Sequence, residues 1–145
     1  MPAIAPDATR RALLLMALAA PLWADAHQAV IDLVTEMASA LSEGNGLAFL
    51  ERVDHAMPGY EKLEQNVLAL TSQNEVLSSV EILKDEGDGQ SRVVELDWFL
   101  QIRSREINGP LERRREVVKC RVERDKKKWK VKSLEPVGFF APPAG

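Results

Sequence analysis

Hydrophobic residues recur every three or four positions in the first half of the chain and every second position in the second half. The first spacing predicts amphipathic helices, and the second predicts strands with one buried face. We expect a first helix over residues 25–42, ended by Gly44 and Gly46, and a Pro-Gly pair at residues 58–59 between a short second helix and a third. One face of the first helix carries Val30, Leu33, Val34, Met37 and Leu41, and the inward face of the third carries Tyr60, Leu63, Val67 and Leu70. The short second helix carries Leu47, Leu50 and Val53.

The alternation of period two begins near residue 76 and continues in four runs. The second run has one continuous apolar face, formed by Val94, Leu96, Trp98, Leu100 and Ile102. The sequence DEGDG precedes this run and predicts a turn, while Asn108-Gly109-Pro110 follows it and predicts a hairpin. The predicted fold class is therefore α+β, with three N-terminal helices packed on a curved antiparallel sheet of about four strands.

The register of the hairpin decides which residues of LERRREVVKC (111–120) face the core. A two-residue Asn-Gly loop would place Trp98 opposite Lys119. A three-residue Asn-Gly-Pro loop pairs Trp98 with Cys120 and Leu100 with Val118. Because a slip of one residue turns an apolar face toward water, hydrophobic matching favours the three-residue loop.

In that register the arginines of residues 113–115 point in different directions. Arg113 and Arg115 point outward, whereas Arg114 and Glu116 point inward near the hairpin end. Because a buried lone charge is costly, an inward Arg114 would pair with Glu116, reach solvent at the mouth of the fold, or bind an anionic group of a ligand. Arg114 and Glu116 are accordingly candidate ligand-binding residues.

Trp98 and Tyr60 are the further candidate ligand contacts, although Trp98 is interpreted first as a core residue. Asp54 and His55 are weak catalytic candidates, because neighbouring residues seldom form a productive base and orienter. Asp97 is a third weak candidate, and the chosen register places it on the outer face opposite Arg121. The histidines, acids and single cysteine are not spaced as metal ligands, so no metal and no cofactor are expected.

The charge of the chain is uneven. The net formal charge is −3 over 145 residues, yet the segment from Arg113 to Lys132 carries eleven basic and three acidic residues. Either this face is simply solvated and discourages edge pairing, or it meets an anionic partner. Because stacking aromatics and an RNA-binding signature are lacking, no nucleic-acid partner is expected.

The N-terminal segment resembles an export signal. Arg10 and Arg11 precede an apolar run over residues 12–20, and Ala24 or Ala26 offers a cleavage site. The alternative is a hydrophobic helix that packs on the domain. We expect a signal peptide over 1–24, a domain over 25–136 and a C-terminal tail over 137–145, with the mature protein periplasmic or secreted and without a stable membrane span. The paired arginines leave general and twin-arginine export both open.

The order of elements over residues 25–136, together with VDHAMPGYEKLEQNV, SSVEIL and ELDWFLQI, resembles the nuclear-transport-factor-2-like superfamily. Its SnoaL-like and ketosteroid-isomerase-like members share a cystatin-like α+β cone. The resemblance implies that an enzyme of this kind would hold an Asp or His inside the cone. Here the inward positions of the middle strands are Val, Leu, Trp, Cys and Ile, so no catalytic residue is assigned.

The resemblance also implies a homodimer through the outer face of the sheet, where Phe99 and Val117 lie beside the stems of Arg115 and Lys119. The function expected is an exported module that binds a small apolar or anionic ligand or another protein. The alternative is a cofactor-independent acid–base enzyme of isomerase, cyclase or hydrolase type acting on a small apolar substrate. An open cone would favour a ligand, and a filled cone would favour a structural role.

Overall fold

The computed structural model describes residues 24–144, which form three helices followed by a four-stranded antiparallel sheet in the order β1-β2-β3-β4. This architecture confirms the predicted α+β class. The predicted signal peptide lies outside the described residues except for Ala24, and it stays a prediction. The elements are α1 (residues 24–42), α2 (Gly46–Glu51), α3 (Tyr60–Gln73), β1 (Asn74–Gly87), β2 (Ser91–Ser104), β3 (Leu111–Asp125), β4 (Lys128–Glu135) and a one-turn 3-10 helix (Val137–Phe140).

The junction between α1 and α2 depends on two glycines with different roles. Gly44 follows the end of α1 with φ +72°, a left-handed conformation that glycine adopts without strain. Asn45 then caps α2, since its side-chain oxygen accepts a hydrogen bond from the backbone N–H of Ala48 at 3.0 Å. A Cβ at Gly46 would lie 2.8 Å from Oγ1 of Thr71, so the glycine allows α2 to approach α3 closely.

Helix α1 is tied to β1 at both ends. Oγ of Ser42 accepts a hydrogen bond from the backbone N–H of Ser78 at 2.9 Å. At the other end, Nδ1 of His27 lies 2.5 Å from Oδ2 of Asp85. Fifteen helical residues and seven strand residues both span about 23 Å, so α1 runs antiparallel to β1 along the inner side of the sheet.

The hairpin between β2 and β3 differs from the expected three-residue loop. Trp98 pairs with Glu116 rather than Cys120, and Leu100 pairs with Arg114 rather than Val118. The expected pairs are wrong by four positions because six residues, 105–110, separate the two strands.

A contact distant in sequence explains the longer loop. The backbone N–H of Arg105 donates to the carbonyl of Gln73 at 3.2 Å, which draws the end of β2 toward the end of α3. Asn108, with φ +60°, and Gly109 still form a turn, but the turn lies inside the longer loop. The backbone N–H of Ser104 reaches the carbonyl of Pro110 at 3.2 Å across it.

The direction of the side chains is nevertheless as expected, because a shift of four preserves the alternation of faces. The inward residues of β2 are all fully buried: Val94, Leu96, Trp98, Leu100 and Ile102. Asp97 lies on the outer face as expected. Its ionic partner is Arg115 at 2.6 Å, not Arg121.

The core extends beyond the predicted boundary at residue 136. Phe140 is fully buried, with ring centroids 5.2 Å from Phe49 and 5.0 Å from Trp98. Phe139 is also buried, with its centroid 5.1 Å from that of Phe140. The segment described as a tail in the sequence analysis therefore supplies two core residues.

Replacing Phe140 by Ala should lower the free energy of unfolding by about 3–5 kcal/mol, because the substitution leaves a cavity between Phe49 and Trp98. Chemical denaturation measures the change. The control is Ile107→Ala, at a side chain that is 93% exposed, and it should change stability by no more than about 0.5 kcal/mol. Equal effects of the two substitutions would show that the C-terminal segment does not belong to the core.

Candidate functional site

Arg114, the principal candidate for ligand binding, is occupied by the chain itself. Its Nη1 donates to the carbonyl of Phe139 at 2.8 Å and to the carbonyl of Ala141 at 2.5 Å. Its Nε donates to Glu112, which replaces the expected partner Glu116. Glu116 itself is exposed. Arg114 points inward as predicted, but it binds the backbone that carries Phe140.

The groove beside Arg114 is open rather than enclosed. It has a volume of about 520 Å³ and is lined by residues of β3 and of the C-terminal segment, including Arg113, Glu116 and Phe139. The Nη1 and Nε groups of Arg114 already have acceptors, so an anion in the groove would be left with Nη2 of that guanidinium.

Trp98 is likewise unavailable to a ligand. It is fully buried, and its Nε1 donates to Oγ of Ser78 at 2.8 Å. Its ring packs edge-on against Phe140 with an interplanar angle of 87°. The indole thus has its hydrogen-bond partner and its packing partners within the core. This agrees with the interpretation of Trp98 as a core residue.

Arg114→Ala should destabilise the fold by about 1.5–3 kcal/mol, since it removes charge-assisted hydrogen bonds to the C-terminal carbonyls. Arg113→Ala and Arg115→Ala should have smaller effects, because both side chains lie on the outer face. Thermal melts of the three variants provide the comparison, and Arg114→Met separates the charge from the packing of the stem. A larger effect at Arg113 would contradict the inward position of Arg114.

Asp54 and His55 do not form a catalytic pair. The carboxylate of Asp54 accepts from Nζ of Lys132 at 2.5 Å and from the backbone N–H of Ala56 at 2.8 Å. Hydrogen bonding from Lys132 holds the pKa of Asp54 below its usual value. A carboxylate engaged in this way stabilises the connection from α2 rather than orienting the imidazole.

The structure brings His55 and Tyr60 together on the surface. Their ring centroids are 4.6 Å apart at 31°. They line an open depression of about 470 Å³ with Met57 and Lys62. Burial raises the pKa of Tyr60, with a further contribution from Glu64, so the phenol is a weaker acid than usual.

The Asp54–Lys132 ion pair should make stability depend on pH in the acid range. Because the pKa of Asp54 is lowered from 3.8, the pair stabilises the fold at higher pH, and this contribution is lost as the pH falls through the lowered pKa. The stability difference between wild type and Asp54→Asn should shrink between about pH 6 and about pH 2. Urea denaturation across that range measures the difference, and a constant difference would contradict the assignment.

Asp97 is held on the outer face by Arg115. Two nitrogens of the guanidinium contact the carboxylate, at 2.9 Å from Nε and 2.6 Å from Nη2. The hydrogen bonds and the charge of Arg115 lower the pKa of Asp97. This is the opposite of the raised pKa that a buried general base acquires.

Sequence reasoning missed a buried aspartate at the far end of β1. The side chain of Asp85 is 3% exposed and contacts Nε of Arg92 at 2.6 Å as well as His27. A bulge near Leu83 changes the direction of the strand's side chains, so periodicity alone could not place Asp85 inside. A carboxylate–imidazole pair can transfer protons, but none of the depressions described above contains it. In the fold, Asp85 holds the part of α1 around His27 against β1.

Cys120 and the metal-binding residue types give no further site. Burial raises the pKa of the Cys120 thiol to about 12, so the nucleophilic thiolate does not form near neutral pH. Among residues 24–144, no group of three His, Cys, Asp or Glu side chains is placed to hold a metal ion. Over the same residues, no helix has the length and apolar character to cross a bilayer.

The outer face of the sheet remains as the prominent exposed surface. Leu77, Val93 and Val117 on this face are 60%, 53% and 44% exposed. Leu77 and Val117 lie on the strands that flank the partly buried Phe99 of β2. A depression of about 420 Å³ lies beside Phe99 and is lined also by Glu81 and Arg115.

Comparison with known proteins gives the fold a name. No protein-family model matches the chain, and no curated protein matches it. Among solved structures, a candidate scytalone dehydratase from Novosphingobium aromaticivorans matches with a TM-score of 0.71 at 9% identity, covering 79% of this chain and 85% of that chain. A candidate dehydratase of the nuclear-transport-factor-2-like family from Streptomyces avermitilis matches with a TM-score of 0.61 at 13% identity, covering 76% and 94%.

The chain has a nuclear-transport-factor-2-like fold. A protein of unknown function with a cystatin-like fold from Nostoc punctiforme also matches, with a TM-score of 0.53 at 18% identity over 74% of this chain and 86% of that chain. The fold that the resemblance implied is thus confirmed. At these identities the likeness extends to the fold, and the dehydratase descriptions belong to the other proteins.

Proposed function

We propose that this protein is a non-catalytic interaction module that pairs with a second copy of itself through the outer face of its sheet. The proposal rests on the packing of the interior. The rings of Phe140, Phe49 and Trp98 fill the space between the helices and the sheet. Arg114 secures that arrangement from the C-terminal side. A cone filled by its own chain favours function on the surface.

The outer face has the chemistry of an interface. Phe99 lies on the middle of three long strands opposite Ser79 and Arg115, with the exposed Leu77 and Val117 diagonal to it on the flanking strands. Aromatic residues surrounded by polar groups are typical of the centre of protein interfaces. The arginine and lysine stems add apolar area while their charges stay solvated. The N-terminal segment supports the further proposal that the module acts outside the cytoplasm.

The alternative, an acid–base enzyme, rests on one observation in this chain. The buried Asp85 contacts the half-exposed His27 in the manner of a carboxylate that orients an imidazole. The three acid–base candidates from the sequence give it no support, because Asp54 is bound to Lys132, Asp97 is bound to Arg115, and His55 lies on the surface. The interaction module is therefore the function that the geometry favours.

Light scattering after size exclusion tests the proposal. Wild-type protein at high micromolar concentration should be a dimer, and Phe99→Glu should raise the dissociation constant at least about tenfold by placing a charge at the interface centre. The matched control is Leu47→Glu, at an α2 side chain that is 65% exposed. A monomeric wild type, or a dimer unaffected by Phe99→Glu, would remove the proposal.

A further inference from the structure

The predicted cleavage site decides which residues begin the mature chain. Cleavage after Ala24 would leave Asp25-Ala26-His27 as the first three residues. A chain with histidine in its third position can bind a metal through four nitrogens in one plane. These nitrogens belong to the terminal amine, the amides of the second and third residues, and Nδ1 of the histidine. Square-planar sites of this kind are typical of Cu(II) and Ni(II).

The structure places His27 where this chelate can form. The residue lies in the first turn of α1, and half of its side chain is exposed. Its Nδ1, the nitrogen that the chelate requires, lies 2.5 Å from Oδ2 of Asp85. In a chain that starts at Asp25, the N–H groups of Ala26 and His27 have no residue four positions before them. Both amide nitrogens can therefore bind a metal without breaking a helical hydrogen bond.

The charge of the complex suits this end of the helix. A cation at a helix N-terminus is usually unfavourable, because the N–H groups give that end a partial positive charge. Here Cu(II) would displace one proton from the terminal ammonium group and one from each of the two amides. The doubly charged metal is then balanced by two amide anions. Binding thus changes the terminus from positively charged to neutral.

We propose that the mature N-terminus binds one Cu(II) ion through the amine of Asp25, the amide nitrogens of Ala26 and His27, and Nδ1 of His27. This rests on the proposed export, since only cleavage after Ala24 frees that amine. One of the four ligands is a side-chain atom, so the site needs no cluster of metal-binding side chains. Cu(II) forms the most stable complexes among the divalent metals of its row, and Zn(II) prefers a tetrahedral site.

This site competes with the contact between α1 and β1. Nδ1 of His27 cannot hold a metal while it is hydrogen-bonded to Asp85, and the four nitrogens reach one plane only when the first turn of α1 rearranges. The rearrangement also withdraws Ala26, which is buried. Asp85 keeps a partner when His27 leaves, because its Oδ1 lies 2.6 Å from Nε of Arg92. Copper binding therefore releases the start of α1 from β1.

The full chain, exported from a bacterial host with its own N-terminal segment, tests the proposal in two steps. Intact-mass measurement should show a protein of residues 25–145. Titration with Cu(II) should then give one tightly bound ion with the nitrogen hyperfine pattern of a four-nitrogen site in electron paramagnetic resonance. A mature chain with another first residue overturns the proposal at the export step. A chain that starts at Asp25 without this signal overturns the metal site and leaves export intact.

Three substitutions separate the chelate from other copper binding. His27→Ala should abolish the four-nitrogen signal, whereas His55→Ala, at the other histidine of the chain, should keep it. Ala26→Pro should also abolish the signal, because proline has no amide N–H to give up, although a helix tolerates proline in its first turn. Circular dichroism melts establish that each variant folds. A signal that survives His27→Ala or Ala26→Pro overturns the assignment of the ligands.

The substitution Asp85→Asn tests the competition for His27. Removing the carboxylate should strengthen Cu(II) binding about tenfold, since a hydrogen bond to a charged group is worth a change of that order. Competition with a chelator of known copper affinity measures the difference. An affinity equal to that of wild type would show that the metal does not take His27 from Asp85, which contradicts the proposed exchange.

Discussion

The packing of Phe140 between Phe49 and Trp98 is the contact on which the rest of the structure depends. The three rings come from α2, from the middle of β2 and from the last turn of the chain, which the sheet's hydrogen bonds do not join to one another. Burying three aromatic side chains at one point contributes several kcal/mol and excludes water from the centre of the fold. The same contact leaves no open interior at this point for a ligand of similar size.

Arg114 shows how a polar residue is used to maintain an apolar centre. The 3-10 turn adds no strand to the sheet, and side chains donate to several carbonyl groups in this turn and next to it. Arg114 donates to two of them, and Nδ2 of Asn66 donates to a third, on Val137, at 3.1 Å. An inward arginine therefore satisfies the backbone of the segment that fills the cone. Its charge is balanced by Glu112 beside it on β3.

The sequence predicted the faces of the elements more accurately than their pairing. Periodicity is local, so Leu100 could be placed inward before any partner was known. Arg114 was placed inward through a hairpin register, and an error of four positions in that register left the alternation of faces unchanged. The register required the length of a loop that is set by a bond between Arg105 and Gln73, and the direction of Asp85 required a bulge. Neither has a local signature. The burial of Phe140 follows from the path of the chain after Pro136, which the Phe-Phe pair alone does not specify.

Under these constraints, the side chains that remain available for contact lie on the outer surface of the molecule. An acidic or basic group functions as a catalyst when its surroundings hold its pKa near the working pH, but Asp97 and Asp54 are held ionised by cations that they contact directly. What those ion pairs leave is an outer sheet face that carries the partly buried Phe99 and the exposed Leu77 and Val117. Because the inner side of the sheet is packed against the buried core, the exposed Leu77 and Val117 lie on this outer face.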